Sequence, residues 1–319
     1  MRVRQRVKNF LAPILNEALS ANDRLAALES NISGITRRLD AMNSDAHALT
    51  PQETAHLERY RMERRLLADW PGDQRQQLVD RSQAILAKLR PRKAKGVEKA
   101  RFGSRNDGGY VILDDFRPLD YMFSFGVEQN ADFDLYVAEQ GVQVIQFDHT
   151  IDRAPVENPR IKWEKKKIAA QATDESENIA HLVKTYNIGE KGPNALLKID
   201  IEHDEWPVFD ATPASDLKKF TQITGEFHGF DYLSERARLE VVERVVNKLT
   251  DNFAVVHVHA NNHCDVADFF GLTVPYVLEF TFANRDVYGF EDTDETFPGP
   301  LDAPCDPGKP DIRLGAFRY

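Results

Sequence analysis

The chain has 319 residues, of which 42% are hydrophobic and 29% are charged, as is ordinary for a soluble globular protein. The net charge of −10 is unevenly distributed, because residues 1–100 carry a net +7 and the remainder carries −17. An acidic remainder argues against nucleic acid as the main substrate, since its phosphates would be repelled. The positive charge of the first hundred residues indicates a helical face exposed to solvent. The alternatives are peripheral contact with an anionic membrane and contact with an acidic partner.

The absence of targeting signals and the small number of cysteines indicate the cellular compartment of the protein. No run of about 18 apolar residues is present, so no transmembrane segment is predicted. The basic start, residues 1–8, precedes an apolar stretch that polar residues interrupt, which makes a poor signal peptide. The two cysteines, Cys264 and Cys305, suit a reducing compartment. We therefore expect a cytoplasmic protein.

The first 95 residues are predicted to be helical. Apolar residues over 1–43 recur at alternating intervals of three and four, which indicates a coiled coil and a homo-oligomer. The alternative is a helix that packs on its own domain. Further helices are predicted over 50–69 and 73–89, followed by a basic linker over 90–96. The chain thus divides into a helical region, 1–95, and a second domain, 96–319.

Strands and helices alternate in the second domain, which predicts an α/β fold with a mostly parallel sheet. The last two strands have no long helix between them, and we expect them to pair antiparallel at one edge. The predicted strands lie near 109–113, 120–125, 142–147, 160–164, 195–201, 221–227, 253–259 and 276–282. The predicted helices lie near 131–140, 174–187, 204–211, 232–249 and 264–270.

Three predicted strands end in acidic or histidine side chains. The apolar run 195–201 leads into Asp200 and Glu202, which share one face because alternate residues of a strand do so. Glu226 and His228 end the next strand, and His259 ends the one after it. Ligands of open α/β sheets bind beyond the carboxyl ends of the strands, so these ends predict a pocket.

A glycine and an aspartate mark a candidate nucleotide site. The apolar strand near 120–125 runs into Gly126, where a backbone without a side chain lets a ligand approach closely. The next strand ends at Asp148, the position from which an acid accepts hydrogen bonds from ribose hydroxyls. The alternative for Asp148 is a helix or turn cap.

Several of these segments resemble methyltransferases of the FkbM type and the related methyltransferase-like domain. The resemblance covers roughly residues 97–319 and rests on 101–104, 107–111, 124–127, 147–148, 197–202 and 256–262. It implies an S-adenosylmethionine-dependent O-methyltransferase on a Rossmann-like, seven-stranded sheet whose last strand is reversed. One position departs from the family pattern, because His203 stands where members usually have glycine.

The resemblance also implies roles for individual residues. Gly126 would lie under the methionine end of the cofactor, Asp148 on its ribose, and Asp200 would face the sulfonium and the substrate. The predicted cofactor contacts are Arg101, Gly109, Gly126, Glu128 and Asp148.

A hydroxyl acceptor must lose its proton, either to a base or through a metal ion. The predicted catalytic residues are Asp200, His228 and His259. The carboxylates and imidazoles near the strand ends also form a mixed ligand set for a divalent cation, namely Asp200, Glu226, His228 and His259. The alternative is that the strand histidines satisfy buried partners.

We therefore expect methyl transfer from S-adenosylmethionine to a hydroxyl of a saccharide or another small polar acceptor. Two alternatives stay open from the sequence. One is a metal-dependent hydrolase or glycosyltransferase that uses the acids and histidines without a methyl donor. The other is a non-catalytic oligomeric scaffold, which the single glycine of the nucleotide loop and the missing loop glycine at 203 would suit.

Overall fold

The computed structural model describes Leu66 and residues 69–319, and Leu66–Tyr319 forms one compact unit. The predicted coiled coil over 1–43, nearly all of the helix over 50–69 and the predicted oligomer interface lie outside the described residues. Within the described part, no helix is long and apolar enough to cross a membrane.

Six α-helices and fifteen strands make up the described residues. The helices are α1 (Arg75–Lys88), α2 (Asp132–Glu139), α3 (Ile179–Thr185), α4 (Glu205–Ala211), α5 (Ala214–Leu217) and α6 (Arg236–Asn252). The strands before α4 are β1 (Arg92–Ala94), β2 (Lys99–Gly103), β3 (Gly109–Leu113), β4 (Tyr121–Phe125), β5 (Gln143–Phe147), β6 (Ile161–Glu164), β7 (Lys167–Ile168), β8 (Ser176–Glu177) and β9 (Ala195–Ile199). The strands after α5 are β10 (Phe220–His228), β11 (Phe253–Ala260), β12 (Val266–Phe269), β13 (Leu272–Pro275), β14 (Val277–Asn284) and β15 (Phe290–Asp292).

Seven strands form the central sheet in the order β11-β14-β10-β9-β4-β5-β6. The pairs β4–β5, β4–β9, β5–β6 and β9–β10 are parallel, whereas β14 is antiparallel to both β10 and β11. A mostly parallel α/β sheet with a reversed last strand is thereby confirmed. The expected antiparallel pairing of the last two long strands is also confirmed.

Apolar strands and one strongly amphipathic helix build the core. Every residue of β9, β10, β11 and β14 is buried, as expected for strands covered on both faces. Helix α6 buries Leu239, Val242, Val246 and Leu249 at helical spacing. Helix α1 contacts α6, and the Trp70 indole donates to the Ser234 carbonyl at 2.7 Å. Residues 69–95 thus pack with the sheet domain.

Three sequence expectations are wrong in detail. The predicted helix over 264–270 is instead the hairpin β12–β13, turned by Phe270 and Gly271, which both have positive φ as a two-residue hairpin turn requires. The predicted linker over 90–96 contains β1, which pairs with β15. The strand at 109–113 belongs to a separate hairpin with β2. The antiparallel pair β11–β14 does lie at one edge of the sheet, as expected, with β11 outermost.

The C-terminal tail, residues 293–319, folds back onto the sheet without forming a long element of its own. Its apolar anchors are Phe297 and Phe317, which are 2% and 0% exposed. The ring of Phe317 packs edge-on against Phe280 of β14 at 6.0 Å. This docking brings the polar residues of the tail to the sheet edge where β10 and β11 end.

Candidate functional site

The carboxyl ends of the parallel strands meet at one edge of the sheet, which we call the carboxyl edge. Gly126 follows β4 and Asp148 follows β5, while Asp200 follows β9. Strands β10 and β11 end near His228 and His259. The sequence-predicted residues of the strand ends are thus brought to one edge, as the topology requires.

The turn after β4 needs glycine for a reason internal to the sheet. Gly126 has φ +70°, and a Cβ atom there would lie 1.7 Å from the Asp200 carbonyl oxygen. Its N–H donates to the Phe147 carbonyl at 3.0 Å. The close contact at Gly126 is therefore made with the backbone after β9. Together with the hydrogen bond to Phe147, this contact joins the ends of β4, β5 and β9.

Asp148 organises the same turn with its carboxylate. Its Oδ2 accepts from the backbone N–H groups of Val127 and Glu128, both at 2.9 Å. Its Oδ1 accepts from the Thr150 N–H at 2.7 Å and from the Thr150 hydroxyl at 2.6 Å. Although burial opposes ionisation, these hydrogen bonds lower the pKa of Asp148. The turn cap that the sequence left open is thus present, and Asp148 and Gly126 adjoin.

Arg101 lies on β2 and is held by the loop that follows it. Its Nη2 donates to the Asn106 carbonyl at 2.6 Å and its Nε to the Ser104 carbonyl at 3.3 Å. Its Nη1 is buried and has no hydrogen-bond partner among the described residues. Gly109 closes this loop, since a Cβ there would lie 1.9 Å from the Ser104 carbonyl oxygen. A buried guanidinium nitrogen without a partner is a donor that a ligand can satisfy.

Four titratable side chains on adjacent strands form what we call the polar row: Asp200, Glu226, Glu279 and His259. Glu279 of β14 lies opposite Glu226 of β10 and opposite His259 of β11 in the strand register. Asp200 follows Ile199, the residue beside Gly225. The row therefore crosses four strands at the carboxyl edge, and Glu226, Glu279 and His259 are buried while Asp200 is partly exposed.

The three carboxylates of the polar row are crowded. Burial raises the pKa of Asp200 to about 6, although Lys198 and His228 pull it the other way. Burial together with the Asp200 and Glu279 charges raises the pKa of Glu226 well above its usual value. Burial and like charges are the arrangements that perturb acids at functional sites, so the row is a site candidate on physical grounds.

His228 is oriented by a glutamate that the sequence reasoning did not assign. Its Nδ1 lies 3.1 Å from Glu205 Oε1, and the Ile201 N–H also donates to that oxygen at 2.9 Å. His228 Nε2 lies 3.6 Å from Glu226 Oε2 and 3.4 Å from Glu202 Oε2. Burial opposes protonation, but the hydrogen bond that the His228 ring donates to Glu205 raises the pKa of His228. Glu205 is fully buried, and its Oε2 has no hydrogen-bond partner among residues 69–319.

His259 uses both ring nitrogens within the protein. Its Nδ1 lies 3.0 Å from Glu279 Oε2, and its Nε2 lies 3.1 Å from both carboxylate oxygens of Asp311 in the tail. Burial works against protonation, but these two carboxylates raise its pKa to about 10. Its neighbour along β11, His257, lies 2.7 Å from Asp302 of the tail. For His259 to act as a base or a metal ligand, one carboxylate and a proton must first leave it.

The loop after β9 carries backbone strain at Glu202 and His203. Glu202 and His203 both have positive φ, +53° and +78°, a region that favours glycine. The His203 ring packs against His228 and Tyr232, with centroids 5.3 and 5.7 Å apart. A strained loop that carries two side chains thus lies beside the polar row.

The predicted metal ligands fall into two groups. Asp200, Glu226 and His228 offer ligand atoms that all lie within 4.8 Å of one another. His259 forms a second group with Glu279 and Cys305, again within 4.8 Å. Sequence reasoning missed Glu205, Glu279 and the tail contacts of Cys305. The alternation of Glu279 with Thr281 at the start of β14 was a signal of the kind read on β10, whereas the tail contacts left no local signal.

A shallow cleft of about 340 Å³ lies away from this chemistry. It is lined by residues of α3 and by Asp216 and Lys219, which precede β10, and so lies toward the amino ends of the strands. Because ligands of open α/β sheets bind at the carboxyl ends, the polar row and the Gly126 turn are the better candidate site.

Comparisons with known proteins give no assignment by sequence. No family model matches the chain, and no curated protein matches it. Among solved structures, it is similar to the 1,6-didemethyltoxoflavin-N1-methyltransferase of Burkholderia thailandensis with bound 1,6-didemethyltoxoflavin and S-adenosylhomocysteine, at 14% identity, 75% coverage of this chain, 92% of that chain and TM-score 0.25. It is also similar to a variant 16S rRNA (adenine(1408)-N(1))-methyltransferase of Catenulisporales acidiphilia, at 9% identity, 60% and 100% coverage and TM-score 0.28. At such TM-scores these likenesses carry no argument, and the class of fold rests on the strand order itself.

Proposed function

We propose that this protein is an S-adenosylmethionine-dependent O-methyltransferase that acts on a hydroxyl of a saccharide or another small polar acceptor. The observation that carries the proposal is the seven-stranded order with its reversed strand, which places the Gly126 turn beside the polar row. The resemblance of 97–319 to FkbM-type methyltransferases implies the same arrangement.

Three groups at the carboxyl edge suit the cofactor. The Arg101 Nη1 nitrogen, buried and without a partner among the described residues, would bind the methionine carboxylate. The Gly126 turn would receive the methionine end, and Asp148 would accept from the ribose, which requires that the Thr150 hydroxyl give up its place on Oδ1. The cofactor supplies the methyl group as a sulfonium. These residues fit it, because one donor is unused and one acceptor is held by a hydroxyl that can rotate.

The acceptor hydroxyl would lie over Asp200, between the Gly126 turn and His228. Methyl transfer is an in-line displacement, so alignment of the two reactants supplies much of the rate. Asp200 would take the hydroxyl proton, because a carboxylate with a pKa of about 6 is mostly ionised at neutral pH and still a useful base. His228, oriented by Glu205, would hydrogen-bond to the acceptor, because an uncharged polyol is bound through hydrogen bonds to its hydroxyl groups.

Methyl transfer from labelled S-adenosylmethionine to a panel of saccharides and polyols tests the proposal. We expect incorporation into at least one hydroxyl acceptor and its loss in Asp200→Asn. Label on a nitrogen atom would overturn the O-methylation. S-Adenosylhomocysteine that does not bind, together with a nucleotide sugar that does, would favour the glycosyltransferase alternative.

A divalent cation is a second source of acceptor activation, and the group Asp200, Glu226 and His228 favours it. Carboxylate oxygens and an imidazole nitrogen within 4.8 Å of one another suit magnesium or manganese with water completing the shell. Activity that a chelator abolishes and magnesium restores would assign a cation to this group. Activity that survives the chelator would leave Asp200 as the base.

A further inference from the structure

We propose that His259, Glu279 and Cys305 bind a zinc ion that fastens the C-terminal tail to the sheet. The three residues come from different parts of the fold: His259 from β11, Glu279 from β14 and Cys305 from the tail. Their candidate ligand atoms lie within 4.8 Å of one another, and all three residues are buried. This proposal does not depend on methyl transfer.

The spacing of the three ligand atoms is close to that of a zinc site. Cys305 Sγ lies 3.0 Å from Glu279 Oε1, and Glu279 Oε2 lies 3.0 Å from His259 Nδ1. Bonds of about 2.0–2.3 Å to a tetrahedral zinc separate neighbouring ligand atoms by about 3.3–3.8 Å. Small side-chain rotations would therefore admit the ion.

The second ring nitrogen of His259 has the partner that metal-bound histidines usually have. Its Nε2 lies 3.1 Å from both oxygens of Asp311, so the ring is fixed with Nδ1 directed at Glu279. Histidines that bind metal through one nitrogen commonly donate the other N–H to a carboxylate, which fixes the tautomer and the ring orientation. Asp311 is thus a positioning residue for the ion.

Charge is conserved when zinc replaces protons at these residues. With a thiol, an imidazolium and a carboxylate, the three side chains carry no net charge. Zinc binding would release the Cys305 thiol proton and one imidazolium proton, and the resulting thiolate, neutral imidazole, carboxylate and Zn²⁺ again sum to zero. The buried layer therefore accepts the ion without a new uncompensated charge, which in an apolar interior would be costly.

The donor set selects among metals and leaves room for a fourth ligand. A thiolate with an imidazole and a carboxylate suits borderline-soft Zn²⁺ better than magnesium or calcium, which prefer oxygen. Glu226 and Asp107 each offer an oxygen within 4.8 Å of Cys305 Sγ. We leave the fourth position to a water molecule, because both carboxylate oxygens of Glu226 already accept from the Asn261 amide and a neutral ligand keeps the charge sum at zero.

The test is the zinc content of the full-length chain after loading with zinc chloride under reducing conditions and dialysis. We expect one zinc ion per chain in the parent and in Cys264→Ser, since Cys264 is the matched cysteine outside the group. Cys305→Ser should lose the ion, and Asp311→Asn should weaken zinc binding about tenfold. A parent that retains no more zinc than Cys305→Ser, or a Cys264→Ser variant that loses zinc equally, would overturn the proposal.

A cobalt-loaded parent protein keeps the test decisive if Cys305→Ser fails to fold. Cobalt bound by a thiolate absorbs in the near ultraviolet through charge transfer, and zinc added in excess should remove that band. Absence of the band in the folded parent would contradict the assignment as directly as absence of zinc.

Discussion

The two halves of the carboxyl edge are stabilised in different ways. On the β4–β5 half, the Asp148 carboxylate accepts four hydrogen bonds, two from the turn after β4 and two from Thr150 after β5, and these lower its pKa. On the β9–β11 half, buried carboxylates face one another, and burial raises the pKa values of Asp200 and Glu226. The ionised carboxylate of the first half is stabilised by its hydrogen bonds, whereas ionisation of the Asp200 and Glu226 carboxylates in the second half is disfavoured. From this contrast we expect the first half to position the ligand and the second half to carry the chemistry.

Asp200→Asn tests the second half and should give the largest effect. We expect methyl transfer to fall by about 10²–10⁴, the usual contribution of a positioned base. The pKa of Asp200 is about 6 in the folded protein and 3.8 in its ordinary state. Between these two pH values the native state binds more protons than the unfolded state, so the protein loses stability as pH rises from 3.8 to 6. Because about a quarter of the side chain is exposed, Asn should restore only about 1–2 kcal/mol at pH 8 and little at pH 4.

Denaturant unfolding at both pH values measures the stability arm of that prediction. Asp210→Asn is the matched control, since Arg244 lowers the pKa of Asp210 at the surface and its removal should not stabilise. If Asp200→Asn is destabilised at pH 8, the carboxylate is not the strained group that the structure indicates.

Asp148→Asn tests the first half. An amide cannot accept all four hydrogen bonds, so we expect a loss of about 2 kcal/mol in unfolding free energy at pH 7. The pKa of Asp148 is depressed, so its contribution is present above the ordinary carboxyl pKa and disappears as pH falls through the folded value. Asp152→Asn, an exposed carboxylate paired with Lys165, should leave stability unchanged. Equal stability of the two variants would contradict the role given to the Asp148 turn.

Glu205→Gln changes the pKa of His228 while His228 itself is kept. The hydrogen bond that His228 donates to the Glu205 carboxylate raises the pKa of His228, so loss of the carboxylate charge should move the His228 limb of the pH–rate profile to lower pH. We expect about a tenfold fall in kcat, since the amide still fixes the ring but no longer its charge. Glu240→Gln, on α6, is the control. A fall in rate without any displacement of the pH profile would indicate a purely structural role.

His203→Gly should give the smallest effect. Glycine relieves a positive φ of +78°, which costs a residue with a side chain about 1–2 kcal/mol, but it loses the ring contacts with Tyr232. We expect a net stabilisation of about 0.5–1 kcal/mol, measured by denaturant unfolding. A destabilised variant would mean that the ring contacts outweigh the backbone strain.

The sequence predicted what local pattern determines. Apolar strands that end in Gly126, Asp148 and Asp200 could be placed because strand direction alone brings their ends to one edge. The hairpin at 266–275 was mistaken for a helix because short apolar runs fit both periods, and the turn residues Phe270 and Gly271 decide between them.

The partners of the site residues could not be predicted in the same way. Contact between His259 and Asp311 spans 52 residues, and no periodicity records where an irregular tail docks. Glu205 begins α4, as the predicted helix over 204–211 implies, but no local pattern indicates that its side chain contacts His228. Long-range side-chain pairing, and the pKa values that follow from it, needed the structure.

Calorimetric titration of the full-length chain with S-adenosylhomocysteine tests the central claim most directly. If Arg101 and Asp148 hold the cofactor beside the polar row, the parent should bind one equivalent, and Arg101→Gln should bind it at least about tenfold more weakly through loss of a charged contact. Asp152→Asn should bind like the parent. Absence of binding in the parent, or equal affinity in Arg101→Gln and the parent, would contradict the account.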